Sequence, residues 1–433
     1  MTTSTCEVPI AAVTGGPRHY FFGFYDVCPW DESGRYMLAH ESDFIDRMPE
    51  PDDVVGVCVI DTERGDRLER IAETRAWNFQ QGTRLQWIPG RDREFVYNTR
   101  GANGFGAVVA DVTGRTLREL SMPIYQVGPD GGSALTFSYG RLQRLGGYGY
   151  AGIEDARAED PIPSDDGIYR VDLETGAAKL LVSIAEVARV AGDGTEGDGH
   201  HYVTHVTWNP SGTRICFLHR FSLKDGGFYT RLMTADPDGS NLHCLSEGTL
   251  SHFDWFDDER ILIWGRQRAL VARARKNNLF ALPVFQPLLG FLRRQTRGFL
   301  RQRVIGDRYL LLTDRSKKVE SIGLGALTED GHPTRFADSR FLLTDTYPDE
   351  THRRTLMLYD LERKRRIDVG RFYALPDSDH WVDAFGEGWE TGGMRADLHP
   401  RWDRDQRRVC IDSIHEGSRQ IYVLDATSLL AEP

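Results

Sequence analysis

"HVTWNPSGTRICFLHRF", residues 205–221, reads as a strand, a turn and a second strand. Asn209-Pro210-Ser211-Gly212 has turn chemistry, with a proline to fix one φ and a glycine to accept a positive one. Trp208, Ile215 and Phe217 suit strands with a buried face. His205 stands three residues before the tryptophan, and His219-Arg220 closes the second strand. A hairpin that gathers imidazoles and a guanidinium at one end points to a shared polar site, provided that other hairpins bring more such groups.

Other hairpins of this kind exist. "DVCPWDESGRYMLAHE" centres on Trp30, "TRLQWIPGRDREFVYN" on Trp87, "LSHFDWFDDERILIWGR" on Trp255 and "DLHPRWDRDQRRVCIDS" on Trp402. Two weaker copies are "SALTFSYGRLQRLGGYGYA" around Phe137 and "GHPTRFADSRFLLTDTY", with Arg335 in the aromatic slot. The seven anchors are spaced by 57, 50, 71, 47, 80 and 67 residues. Between them run further strands ending in Asp-containing turns, such as "VCVIDT", "IYRVDLETG" and "IYVLDA". Units of this length that cannot bury both faces alone predict an all-β, seven-bladed β-propeller of four-stranded antiparallel blades. One domain is expected over residues 1–433, with "VPIAAVT" pairing with the last blade to close the ring. A set of β-sandwiches is the rival, and seven similar units argue against it.

Composition agrees. Forty-four glycines and 19 prolines spread over 433 residues supply many turns, while 9 Trp, 16 Tyr and 21 Phe supply core. A net charge of -11 argues against general nucleic-acid binding, which draws on a basic surface. No stretch is apolar enough to span a bilayer. The start, "MTTSTCEVPIAAVTGG", lacks the basic and apolar regions of a signal peptide, and the six cysteines form no CxxC pair. A cytoplasmic protein with free thiols is expected.

Three residues before the anchors stand Val27, Arg84, Ala134, His205, His252, His332 and His399. Four consecutive blades thus carry histidine in one register, from a total of 13 in the chain. A lone histidine at such a place is usually structural; four that converge on one channel mouth point to function. Imidazoles suit zinc, manganese and similar ions, and Asp397, two residues before His399, adds a ligand or an orienting carboxylate. Eleven residues past the anchors lie Glu41, Asn98, Tyr148, His219, Arg266, Thr346 and Ser413, with Arg100, Arg220, Tyr347 and His415 beside them. Side chains alternate along a strand, so about half of these should face the site. Arg220 is the foremost of them, and a surface ion pair is its plain alternative.

"HVTWNPSG", "SHFDW", "GHPTRF" and "DLHPRW", with "YFFGFYD" near the start, resemble the seven-bladed propeller polysaccharide lyases, above all the oligogalacturonate lyases and more loosely the ulvan lyases. The likeness spans most of the chain and is most specific from His205 to Tyr422. It implies β-elimination on a uronate-containing glycan, with His205 as the base and His252, His332 and His399 as ligands of a manganese-like ion; zinc or calcium are alternatives. The family's last blade supplies a second histidine and a glutamine where this chain has Asp397 and Met394. Within that reading, Arg220 holds the uronate carboxylate and Tyr148 or water protonates the leaving oxygen. His219 is the next candidate for the base, and Arg84, Arg100, Arg266 and Tyr347 are expected to contact substrate.

One segment does not fit the repeat. From Arg266 to Arg303 there are ten basic residues and no acidic one. After Pro287, Leu288, Leu289, Phe291, Leu292, Phe299 and Leu300 give a partly amphipathic helical pattern. This 266–303 insertion reads as a lid that attracts a polyanionic glycan, as a peripheral contact with an anionic membrane, or as a helix with a solvated basic face. Two other readings of the whole chain remain at this stage, a metal-dependent hydrolase and a non-catalytic scaffold like WD-repeat or TolB-type domains. A scaffold has no need of four imidazoles in register.

Overall fold

The computed structural model describes residues 3–5, 8–102, 104–190, 199–222, 228–266, 306–336, 338–374 and 396–430. Its strands form seven four-stranded sheets. Blade four shows the plan: His201–Trp208 is innermost, followed outward by Ile215–Ser222, Phe228–Ala235 and His243–Gly248, all antiparallel. Each blade buries its faces against its neighbours. Cys216, Leu218 and Leu232 of blade four pack with Phe253, Trp255 and Ile263 of blade five. The same arrangement joins five to six, six to seven and, through Cys410 and Ile421 against Trp30 and Cys58, seven to one. That last cluster makes the assembly a ring.

The ring is closed by the N-terminal chain. Ile10–Ala12 pairs antiparallel with Gln420–Asp425 and becomes the outer strand of blade seven, as the sequence predicts. Thr3–Thr5 goes further, adding in parallel to Arg365–Tyr373 at the edge of blade six. Cys28, Cys58, Cys216, Cys244 and Cys410 are free thiols. No helix among the described residues is long and apolar enough to cross a membrane. The basic run beyond Arg266 lies outside the described residues.

The structure corrects one anchor. In blade three the innermost strand is Gln126–Val127, and Phe137 lies on the second strand, Ser133–Phe137. "QVGPDGG" stands where blade two has "QWIPGRD", so the aromatic slot holds Val127 and the search for an aromatic slid one strand outward. The column residue of blade three is therefore Ile124 rather than Ala134. Trp30, Trp87, Trp208, Trp255 and Trp402 pair with residues six to eight positions later, as a common hairpin requires. For Arg335 the pairing is carried by the neighbouring Thr334–Leu343 bridge, and its guanidinium stacks 4.0 Å over the Phe256 ring, filling the aromatic slot.

The column has a structural cause. In blades four and five the innermost strand slips register between Thr204 and Thr207 and between Leu250 and Phe253. Arg84, His205 and His399 take left-handed backbone conformations, with φ of 55°, 55° and 42°. A bulge inserts a residue, breaks the alternation and re-aims one side chain. The position three before the anchor is this bulge.

Candidate metal and acid–base centre

Histidines 252, 332 and 399 meet. The His332 ring lies 4.4 Å from that of His252 and 4.5 Å from that of His399, centroid to centroid. Each imidazole is held through Nδ1. His332 donates to Asp345 at 2.9 Å, His399 donates to the Gly23 carbonyl at 2.8 Å, and His252 donates to Asp330 at 3.1 Å. A carbonyl or carboxylate can only accept, so Nδ1 carries the hydrogen and the lone pair is left on Nε2. In His332 and His399 that Nε2 is buried and has no hydrogen-bond partner.

Glycine makes this packing feasible at two points. A Cβ at Gly331 would lie 1.9 Å from the Asp345 carbonyl oxygen, and Gly23, at φ +116°, would bring a Cβ to 3.2 Å from the Gln81 carbonyl oxygen.

Asp397 completes the group. Ligand atoms of His332, Asp397 and His399 all lie within 4.8 Å of one another, and all three residues are buried. The Asp397 carboxylate is also held by Arg354 at 2.8 Å and by the Gln80 amide at 2.9 Å. Two imidazole lone pairs without partners and one oriented carboxylate fit a divalent ion of the manganese or zinc type, with His252 adjoining. Burial, with His332 next to it, holds the His399 imidazole well below its usual titration range. Lone-pair donors are therefore present at neutral pH. Gln80 and Arg354 lie outside the column, and nothing in the repeat marks them. The structural signal is their shared hold on Asp397.

A second cluster adjoins the first. His205 is neutral, because burial first and the Arg220 charge second push it well below the ordinary imidazole value. The Tyr148 ring stands 5.9 Å from it, and Arg220 donates to the Tyr148 hydroxyl at 3.4 Å. Tyr148, expected from the repeat as eleven past Phe137, arrives by another route than a second strand. It follows the helix Tyr139–Gly146, which Gly147 ends in a left-handed conformation, and Asn78 holds its carbonyl at 2.9 Å. Tyr202 lies directly across the strand pair from Arg220, and both phenols favour the guanidinium charge against the cost of burial. No carboxylate pairs with Arg220 among the described residues, and its Nε is buried without a partner.

The alternation along the second strands now sorts the remaining positions. Arg220 and Tyr347, each twelve past its anchor, face the centre; the Tyr347 hydroxyl is 3.5 Å from Nε2 of His252. His219, Asn98 and Arg266, each eleven past its anchor, go elsewhere, unlike Tyr148. His219 contacts His201 at 3.0 Å, Asn98 holds Ile124, and Arg266 pairs with Asp307 at 2.6 Å. Arg100 reaches the Pro51 carbonyl at the surface. Arg84 is fully buried in a two-bonded pair with Asp26, 2.8 Å each, and its guanidinium covers the Tyr125 ring at 3.8 Å.

Fold and site together define a seven-bladed β-propeller whose central channel gathers four histidines, with a His332–Asp397–His399 group that could hold a metal ion. The solved structures similar to this chain include oligogalacturonate lyase from Vibrio parahaemolyticus, with 13% identity, a TM-score of 0.62, and coverage of 98% of this chain and 95% of that one. An oligogalacturonate lyase in complex with manganese is similar to the same extent, at 12% identity and a TM-score of 0.62, covering 98% and 95%. At such identity the likeness establishes the fold. No protein-family model matches the sequence, and no curated protein does either.

Proposed function

We propose that this chain is a metal-assisted lyase that cleaves uronate-containing oligosaccharides by β-elimination. The observation that carries the reading is the pairing of a neutral, half-buried imidazole, His205, with a guanidinium, Arg220, that no carboxylate among the described residues neutralises. Such a guanidinium is built for an anion that arrives with the substrate. A uronate carboxylate on Arg220 brings the C5–H toward His205. His205 takes that proton, and the electron pair moves into the carboxylate as an enolate-like charge. Collapse of that charge forms the C4–C5 double bond and breaks the bond from C4 to O4. Tyr148 protonates the departing oxygen. Arg220 stabilises the charge as it develops, which is where electrostatic groups contribute most to rate.

The N- and O-donor set of His332, Asp397 and His399, beside His252, would hold the ion. When bound, it supplies positive charge against the same carboxylate. The fold shared with the manganese-bound oligogalacturonate lyase supports this reading, as does the orphaned pair of Nε2 atoms. The test is to incubate purified protein and Mn²⁺ with a panel of uronate oligosaccharides and follow ultraviolet absorbance. Lysis gives a 4,5-unsaturated product that absorbs. Fragments without the chromophore would establish a hydrolase, and no fragments from any uronate would leave a binding scaffold.

A further inference from the structure

The chain between the first strand of blade one, His19–Phe21, and Trp30 leaves the sheet. It runs into the channel and lies against all four histidines of the column. Phe24 contacts His205 at 5.3 Å and His399 at 5.2 Å between ring centroids. Tyr25 contacts His252 at 5.7 Å, His332 at 5.4 Å and His399 at 6.2 Å. Gly23 supplies the carbonyl that fixes Nδ1 of His399. The segment is tied down on both sides, by Asp26 to Arg84 and by the Val27 carbonyl to Arg401 at 2.6 Å.

Its tip reaches blade five. The Tyr25 hydroxyl accepts the Phe253 N–H at 3.1 Å and donates to the Phe253 carbonyl at 2.9 Å. Phe253 sits on an innermost strand, whose inner edge has no partner strand, so a single phenol satisfies both peptide groups that a neighbouring strand would have taken. Phe253 is also the residue where the register resumes after the bulge that carries His252.

We propose that Tyr25 is a positioning residue for the centre: by clamping the Phe253 peptide from across the channel, it fixes the bulge and aims the His252 imidazole at His332. The proposal rests on the metal reading for its consequence in binding, and the positioning itself can be read without metal. The comparison is wild type with Tyr25→Phe and Tyr150→Phe. Tyr150→Phe likewise deletes a buried phenol hydroxyl, one that meets Asn98 at 2.7 Å and belongs to neither cluster.

In the metal-free proteins, long-range ¹H–¹⁵N spectra of the imidazoles should show the His252 resonances shifted or broadened in Tyr25→Phe and unchanged in Tyr150→Phe. Titration with Mn²⁺ should then give an affinity about 10–100-fold weaker for Tyr25→Phe alone, the size typical when a group that orients a ligand is lost. Unchanged His252 signals, or equal changes in both variants, overturn the proposal. Wild-type protein that binds no Mn²⁺ removes the metal reading, and the metal-free spectra still decide whether Tyr25 positions His252.

Discussion

Asp345 holds His332 twice, accepting its backbone N–H at 2.7 Å and its Nδ1–H at 2.9 Å through the same carboxylate oxygen. Main chain and ring are thereby fixed together, and Nε2 has a single direction open to it. Replacing the carboxylate by an amide removes the charge that raises the donor strength of the imidazole, and an amide oxygen serves both hydrogens less well. Asp345→Asn should weaken Mn²⁺ binding about 10–100-fold. Calorimetric titration checks this, and affinity within twofold of wild type would show that Asp345 only supports the strand.

His205→Ala should lower kcat by about 10²–10⁴-fold, the usual loss when a positioned base is removed. Metal content should stay unchanged, because His205 stands outside the group formed by His332, Asp397 and His399. Elemental analysis of the variant decides the matter. If the metal is lost, His205 is a ligand and the base lies elsewhere.

The two central arginines should separate cleanly. Arg84→Met leaves Asp26 buried without its partner, and breaking a buried pair from one side costs about 3–5 kcal/mol. Arg220→Met strands no carboxylate among the described residues, so its effect should fall on KM and kcat, with stability close to wild type. Denaturant melts and steady-state kinetics on both variants test the division. A marked loss of stability in Arg220→Met would make it structural.

The propeller was legible because aromatic anchors recur at the strand that every blade repeats, and the histidine column was legible because it keeps register with them. Blade three escaped, since Val127 offers no aromatic to find. The positions eleven past each anchor were chosen without knowing which face the strand presents; one residue further along, Arg220 and Tyr347 face the centre while His219 turns to His201. Phe24 and Tyr25 belong to an excursion from the repeat, so periodicity carried no information about their place. Arg84 shares the column, but the charge that neutralises it, Asp26, comes from that same excursion.

His40 gives a pH prediction independent of the centre. Its Nε2 accepts the Thr83 N–H at 3.1 Å, and Nδ1 faces the Phe21 carbonyl at 3.2 Å, which leaves no room for a second proton. Burial lowers its pKa to about 3. The unfolded chain takes up a proton near pH 6.5 that the folded chain refuses until about pH 3, so stability is lost as pH falls through that window. Within it the slope from this one group is about 1.4 kcal/mol per pH unit. Buried Asp412, raised to about 6 by burial, acts in the opposite sense between its ordinary value and about pH 6. Denaturant melts of wild type and His40→Gln across this range should differ in slope, and parallel curves would refute the assignment.

The pairing of Ile10–Ala12 with Gln420–Asp425 also sets an order of events during synthesis. The strand that completes blade seven leaves the ribosome long before the strand it pairs with. Until Gln420–Asp425 emerges, Ile10–Ala12 has no strand to pair with, and the cluster between blades seven and one lacks one wall. Early blades can collapse onto one another as they appear, but the circle cannot shut before Gln420–Asp425 has emerged. Until then the growing chain exposes an apolar face and an open strand edge, the condition under which nascent proteins depend most on chaperones.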